Sequence, residues 1–153
     1  MRDSRTVANR FITLANAKGD ALTPMQILKL VYMAHGWMLG LVGRPLIKEE
    51  VEAWQYGPVI PKLYNAIRRY KSQPVSEAIQ GLPDDLAEDE THIIDQVYKI
   101  YGKRSGPALS RLTHKPDSPW AKVYRPGSFG LEIPNDLIED HYAMLAKRAQ
   151  EAA

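Results

Sequence analysis

The stretch that most restricts what this chain can fold into opens with Thr23-Pro24-Met25-Gln26 and runs to Val42. Thr23 offers an N-cap hydroxyl, Pro24 suits the first helical position, where no amide hydrogen is needed, and Gln26 can close a capping box. At 100° per residue, Ile27, Leu28, Leu30, Val31, Ala34, Trp37, Met38, Leu39 and Leu41 cover about two thirds of the helix circumference. Gln26, Lys29, Met33, Gly36 and Gly40 form the remaining stripe. A helix so apolar needs neighbours on most sides, so the spacing predicts a central hydrophobic helix over 24–42 in a mainly α, compact domain of about six helices.

The other elements follow from shorter signals. Val7, Phe11 and Leu14 repeat at helical spacing before Gly19, a residue suited to the left-handed stop. Val51-Glu52-Ala53-Trp54 is short and partly alternating, and Tyr56-Gly57-Pro58 follows as a turn signal. One short strand is expected near 51–54, with a second near 75–79 to pair with it as a small β-hairpin. Pro61 is placed to start a helix carrying Leu63, Tyr64, Ile67 and Tyr70, the most basic part of the chain. Ile93 to Tyr101 and Ser105 to Leu112 give two more helices, Thr113 to Trp120 a turn, and Asn135 onward a last helix presenting Ile138, Tyr142, Leu145 and Ala149. No internal repeat or low-complexity linker divides the chain, so residues 5–150 are expected to form a single helical domain.

Composition narrows the function classes. At 153 residues and 44% hydrophobic, the chain has material for one sizeable core. It has no cysteine, which removes disulfides, thiolate metal sites and thiol catalysis and suits a reducing compartment. No charge-free apolar run reaches the roughly 18 residues of a membrane span, and Asn9, Arg10, Thr13 and Asn16 interrupt any signal core near the N-terminus. A cytoplasmic location without membrane contact is the expectation. The 20 basic and 18 acidic residues are interleaved to a net +2, so charge alone does not call for nucleic acid.

Catalytic and metal-binding patterns are weak. His35, His92, His114 and His141 are never three or four residues apart, so no helical turn presents two imidazoles, and neither metal nor cofactor is expected. His35 falls among Leu28, Val31, Leu39 and Val42, where a neutral, hydrogen-bonded imidazole is the ordinary state. His114, Asp117 and Ser118 lie close in sequence, but the strained nucleophile turn of a hydrolase is missing, and turn-stabilising side chains explain the trio. No glycine pattern suited to phosphate is present. The acidic residues Asp84 to Glu90 precede a helix and complement its dipole, as a solvated helix start would. An enzyme is therefore not expected.

Three segments together carry a resemblance. They are Leu22 to Trp37, with Thr23, Pro24, Gln26, His35, Gly36 and Trp37; Glu52 to Val59, with Glu52, Trp54, Tyr56, Gly57 and Pro58; and Leu112 to Trp120, with Thr113, His114, Ser118, Pro119 and Trp120. In order and spacing they resemble the Panacea domain, also called GepA-like or phage-associated, from about residue 5 to 142. The resemblance implies a type II antitoxin that neutralises the toxin encoded beside it by direct contact. It also implies that some relatives hand the toxin to the ClpXP protease as proteolytic adaptors, which makes ClpX a second candidate partner. It supplies no catalytic residues, and the motif residues read mainly as scaffold. Relatives with an added DNA-binding domain exist, and this chain is expected to lack one.

The face that meets a partner is reached by subtraction. The central helix is too apolar to be free, the first and last helices each have one stripe for the core, and the acidic loop is too polar to anchor much. That leaves the strand, its turn and the basic helix, with Tyr56, Lys62, Arg68, Arg69 and Tyr70 as contacts, because Trp, Tyr and Arg dominate binding hot spots. A solvated basic face accounts for the same charges, and a small nucleic-acid-binding regulator gripping phosphates through Lys62, Arg68, Arg69 and Lys71 is the alternative.

Overall fold

The computed structural model describes residues 1–152. Helix α2 (Pro24–Val42) begins where the cap signals require: the Thr23 hydroxyl accepts from the Gln26 amide, and the Thr23 amide donates to Gln26 Oε1 at 2.8 Å. Gly43, at φ 81, ends it in the left-handed conformation. Around it lie α1 (Ser4–Ala17), α3 (Pro61–Ile67), α4 (Glu88–Tyr101), α5 (Gly106–Thr113), α6 (Pro119–Val123) and α7 (Asn135–Ala152). The mainly α expectation holds, with seven α-helices among the described residues rather than about six. The additional one is α6, which begins at the end of the expected 113–120 turn. Ser118 caps it, its hydroxyl accepting from the Ala121 amide at 3.2 Å, and Pro119 opens it, repeating the Thr23-Pro24 device.

Among the described residues, α2 alone is long and apolar enough to cross a membrane, but 67% of that window is buried inside the protein. The stripe left by its apolar residues is also internal: Lys29 and Met33 are 3% and 2% exposed. Two of its glycines mark where α7 packs. A Cβ on Gly36 would lie 2.3 Å from the Tyr142 ring, and one on Gly40 would lie 2.7 Å from the Tyr142 backbone carbon. Two glycines one turn apart thus form the trough into which α7 settles. Tyr142 fills it, edge-on to Trp37 at 5.0 Å and to Tyr32 at 6.2 Å.

Three short strands form an antiparallel sheet in the order β2-β1-β3: β1 (Val51–Trp54), β2 (Gly57–Val59) and β3 (Leu131–Ile133). The hairpin partner of β1 is therefore β2, in register Trp54 with Gly57 and Glu52 with Val59, and not the 75–79 stretch. Gly57 and Pro58, read as turn, belong to β2, and Gln55-Tyr56 make the turn. Residues 75–79 have another use for their backbone groups. Val75 bridges Leu22, Asn9 on α1 brackets Ile79 by donating to its carbonyl at 2.9 Å and accepting from its amide at 2.7 Å, and Asn16 donates to Ser76. Side-chain amides of α1 thus replace a strand partner.

The acidic start of α4 is more than solvated charge. Glu90 is fully buried, receiving Arg2 Nε at 2.7 Å, Arg44 at 3.2 Å and the Ala87 amide at 2.7 Å. Burial pushes its carboxyl up, but these donors outweigh that effect and hold its pKa below the usual value. The pairing ties the N-terminus and the segment after α2 to α4.

Candidate protein-docking site

The β1–β2 hairpin is held by its carbonyls. On alternate residues, the Trp54 carbonyl accepts from Trp120 Nε1 on α6 at 2.6 Å, the Tyr56 carbonyl from Ser110 Oγ on α5 at 2.6 Å, and the Pro58 carbonyl from Lys29 Nζ on α2 at 2.9 Å. Three side chains from three helices therefore fix one short ribbon, and the Lys29 bond satisfies a carbonyl in a buried setting. Gly57 makes the third clamp fit: it sits at φ +121, and a Cβ there would lie 3.0 Å from Lys29 Nζ.

Beside this ribbon lies an open groove of about 610 Å³. Trp54, Tyr56, Tyr64, Tyr124 and Phe129 supply aromatic wall, Met25 and Leu28 supply α2, and Lys29 and Lys71 are its charged members. The rings support one another. Trp54 meets Tyr64 edge-on at 5.1 Å and Phe129 at 5.0 Å, and Trp120 stacks on Tyr124 at 4.7 Å. Tyr56 and Phe129 remain 68% and 77% exposed at the rim. Large apolar residues gathered at one opening are the uncommon observation, since scattered ones are normal. Burial lowers the Lys29 ammonium to about 8.

The three sequence motifs meet here unequally. Thr23, Pro24 and Gln26 set the start of α2, and Gln26 also donates to the Arg104 carbonyl at 2.8 Å. Glu52 accepts from Trp54 Nε1 at 2.9 Å. Trp54, Tyr56, Gly57, Pro58 and Trp120 build the clamped hairpin, while Thr113 is buried and bonds back to the Leu109 carbonyl at 2.9 Å. His35, Gly36 and Trp37 lie elsewhere. His35 is fully buried, with Nε2 at 2.9 Å from Asn135 Oδ1 and Nδ1 at 3.3 Å from the amides of Leu46 and Ile47. Two amides pointing at Nδ1 make it an acceptor, so Nε2 carries the hydrogen, and burial lowers the pKa in keeping with a neutral ring.

His114, Asp117 and Ser118 do not form a relay. His114 Nδ1 lies against the Ser110 carbonyl and its ring sits edge-on to Trp120 at 5.2 Å, while the Ser118 hydroxyl caps α6. Among the described residues no three His, Asp or Glu side chains gather as metal ligands.

The five expected contact residues are divided. Tyr56 stands at the groove rim. The basic helix is α3 followed by a 3₁₀ turn, Arg68–Tyr70, where Arg68 and Arg69 are exposed and Arg69 lies 5.1 Å from the Tyr70 ring centre. Lys62 instead faces α1 and pairs with Asp3 at 3.3 Å. Met25, Leu28, Lys29, Tyr124 and Phe129 are groove residues that the sequence did not single out. For Phe129, a lone aromatic in the polar run Arg125 to Gly130 was the available signal.

These features can be set against known proteins. Antitoxin SocA of Caulobacter vibrioides (strain NA1000 / CB15N) is 29% identical over 154 residues, covering 92% of this chain and 82% of that protein. No solved structure matches. Residues 27–121, well over half of the chain and including all three hairpin clamps, match the family described as antitoxin SocA-like, Panacea domain, and the chain belongs to that family.

Proposed function

We propose that the chain is the antitoxin of a type II toxin–antitoxin pair, acting in the cytoplasm and without catalysis by gripping the toxin encoded by the neighbouring gene. The observation that carries this reading is the rigidly clamped hairpin beside an aromatic groove whose rim leaves Tyr56 and Phe129 exposed. A preorganised aromatic surface binds with little ordering cost, the property that affinity for a protein partner requires. Arg68, Arg69 and Tyr70, next in the chain to groove residue Lys71, extend the surface with the residue types of hot spots. Delivery of the bound toxin to ClpXP is a second step open to the same complex.

A phosphate-gripping role has less support, because Lys62 is paired with Asp3 and Arg69 lies against Tyr70. Coexpression tests the proposal. The neighbouring protein is expected to arrest growth alone, to be harmless with this chain, and to copurify with it. A neighbour that is harmless alone and does not copurify overturns the antitoxin reading. Arg68→Glu with Arg69→Glu is expected to weaken neutralisation while leaving the melting curve unchanged.

A further inference from the structure

Among the described residues that line the groove, Lys29 is the buried cation whose donors the fold does not use up. An ammonium has three N–H donors, and Lys29, 97% buried by its 3% exposure, uses one of them on the Pro58 carbonyl. Burial alone shifts its pKa, downward, with no carboxylate opposing the shift. A buried cation without a counter-ion is unfavourable, and proteins ordinarily pair it or replace it. Here it lines the open groove, whose other charged member, Lys71, is also positive, and no Asp or Glu lines the groove among the described residues. Gly57 keeps the space beside Nζ clear of a side chain.

Resting on the protein-binding reading above, we infer that the groove receives an apolar segment of the partner protein bearing one acidic side chain, whose carboxylate pairs with Lys29. The aromatic wall takes the apolar neighbours, and the carboxylate supplies the acceptors that the ammonium lacks. Capture of a chain terminus is the poorer fit, since it relies on a cradle of backbone N–H groups. The hairpin groups fixed here are the carbonyls of Trp54, Tyr56 and Pro58, and the charged donor is a single side chain. A charge-assisted bond in a desolvated site favours the acid over its neutral isostere by about 1.4 kcal/mol or more, a factor of ten.

Three capped peptides test this on the full chain by NMR titration at pH 7: acetyl-Trp-Glu-Leu-amide, acetyl-Trp-Gln-Leu-amide, and acetyl-Trp-Gln-Leu with a free C-terminal carboxylate. The Glu peptide is expected to bind at least tenfold more tightly than either Gln peptide, to shift the signals of Tyr56 and the Lys29 ε-methylene, and to raise the Lys29 pKa. In Lys29→Met, shown to be folded by its melting curve, the Glu preference is expected to vanish. Equal binding of the Glu and Gln amides, or no response to any peptide at millimolar concentration, overturns the inference. A free-terminus peptide that matches the Glu peptide overturns the side-chain assignment. Each of these failures leaves neutralisation of the neighbouring protein by the parent chain to stand or fall in its own assay.

Discussion

Replacing Lys29 by methionine should stabilise the protein. Burial lowers this ammonium from 10.5 to about 8, and at about 1.4 kcal/mol per pKa unit the folded state bears a cost of roughly 3 kcal/mol for keeping it charged at pH 7. Methionine has similar length and no charge to desolvate. It leaves the Pro58 carbonyl without its donor, a loss of about 1–3 kcal/mol. The net gain is about 1 kcal/mol, or a rise of about 2–4 °C in Tm for a chain of this size. The pH dependence carries the sharper signature. Between about 8 and 10.5 the unfolded chain holds this proton and the folded one has released it, so parental stability rises with pH through that window. Lys29→Met lacks the rise, and its advantage at pH 7 should shrink and reverse by pH 9.5. Tyr32 and Tyr142, which burial raises above 10, cost stability above pH 10 in both proteins and cancel in the comparison. Melting curves at pH 7 and pH 9.5 suffice. A variant that melts well below the parent at pH 7, by the same margin at both pH values, refutes the reasoning.

Gly40→Ala forces a Cβ to within 2.7 Å of α7 backbone. The overpacking cost of about 1–3 kcal/mol exceeds the roughly 1 kcal/mol of helix propensity gained, so urea unfolding should show a net loss, and a gain would contradict the close approach. His35, held neutral by burial, should keep its hydrogen on Nε2 in ¹⁵N spectra as pH falls below 6.5. Because the unfolded ring protonates near 6.5, unfolding free energy should fall as pH drops below 6.5, and an imidazole that charges above 6.5 in the folded protein contradicts this. Trp120→Phe removes the donor to the Trp54 carbonyl and should cost about 1 kcal/mol, with faster amide exchange across residues 51–59.

The fold is most legible in the sequence where local chemistry and tertiary need agree. The Thr23-Pro24-Gln26 start and Gly43 stop of α2 are local signals, and its wide apolar arc requires neighbours wherever they come from. His35 was legible as a core histidine because its helical neighbours are all apolar. The stripe of Lys29, Met33, Gly36 and Gly40 gave no sign of what meets its glycines, because Tyr142 lies about a hundred positions away. The 75–79 stretch has β-like composition, but its backbone is satisfied by asparagines on α1, which no periodicity reveals. β3 is only three residues long, too short for alternation to register. The candidate site was half visible: Tyr56 and the arginines could be found by residue type, whereas the groove exists only because α2, the hairpin and the loop carrying Phe129 converge.

On the proposed function, this chain holds its toxin through the clamped hairpin and the groove beside it. Hydrogen–deuterium exchange, comparing the free chain with its copurified complex with the neighbouring gene product, tests that most directly. New protection is expected at residues 54–59 and 124–130 and at the 3₁₀ turn of Arg68 to Tyr70. Protection confined to the outer faces of α4 and α7, with the hairpin exchanging as in the free protein, contradicts it.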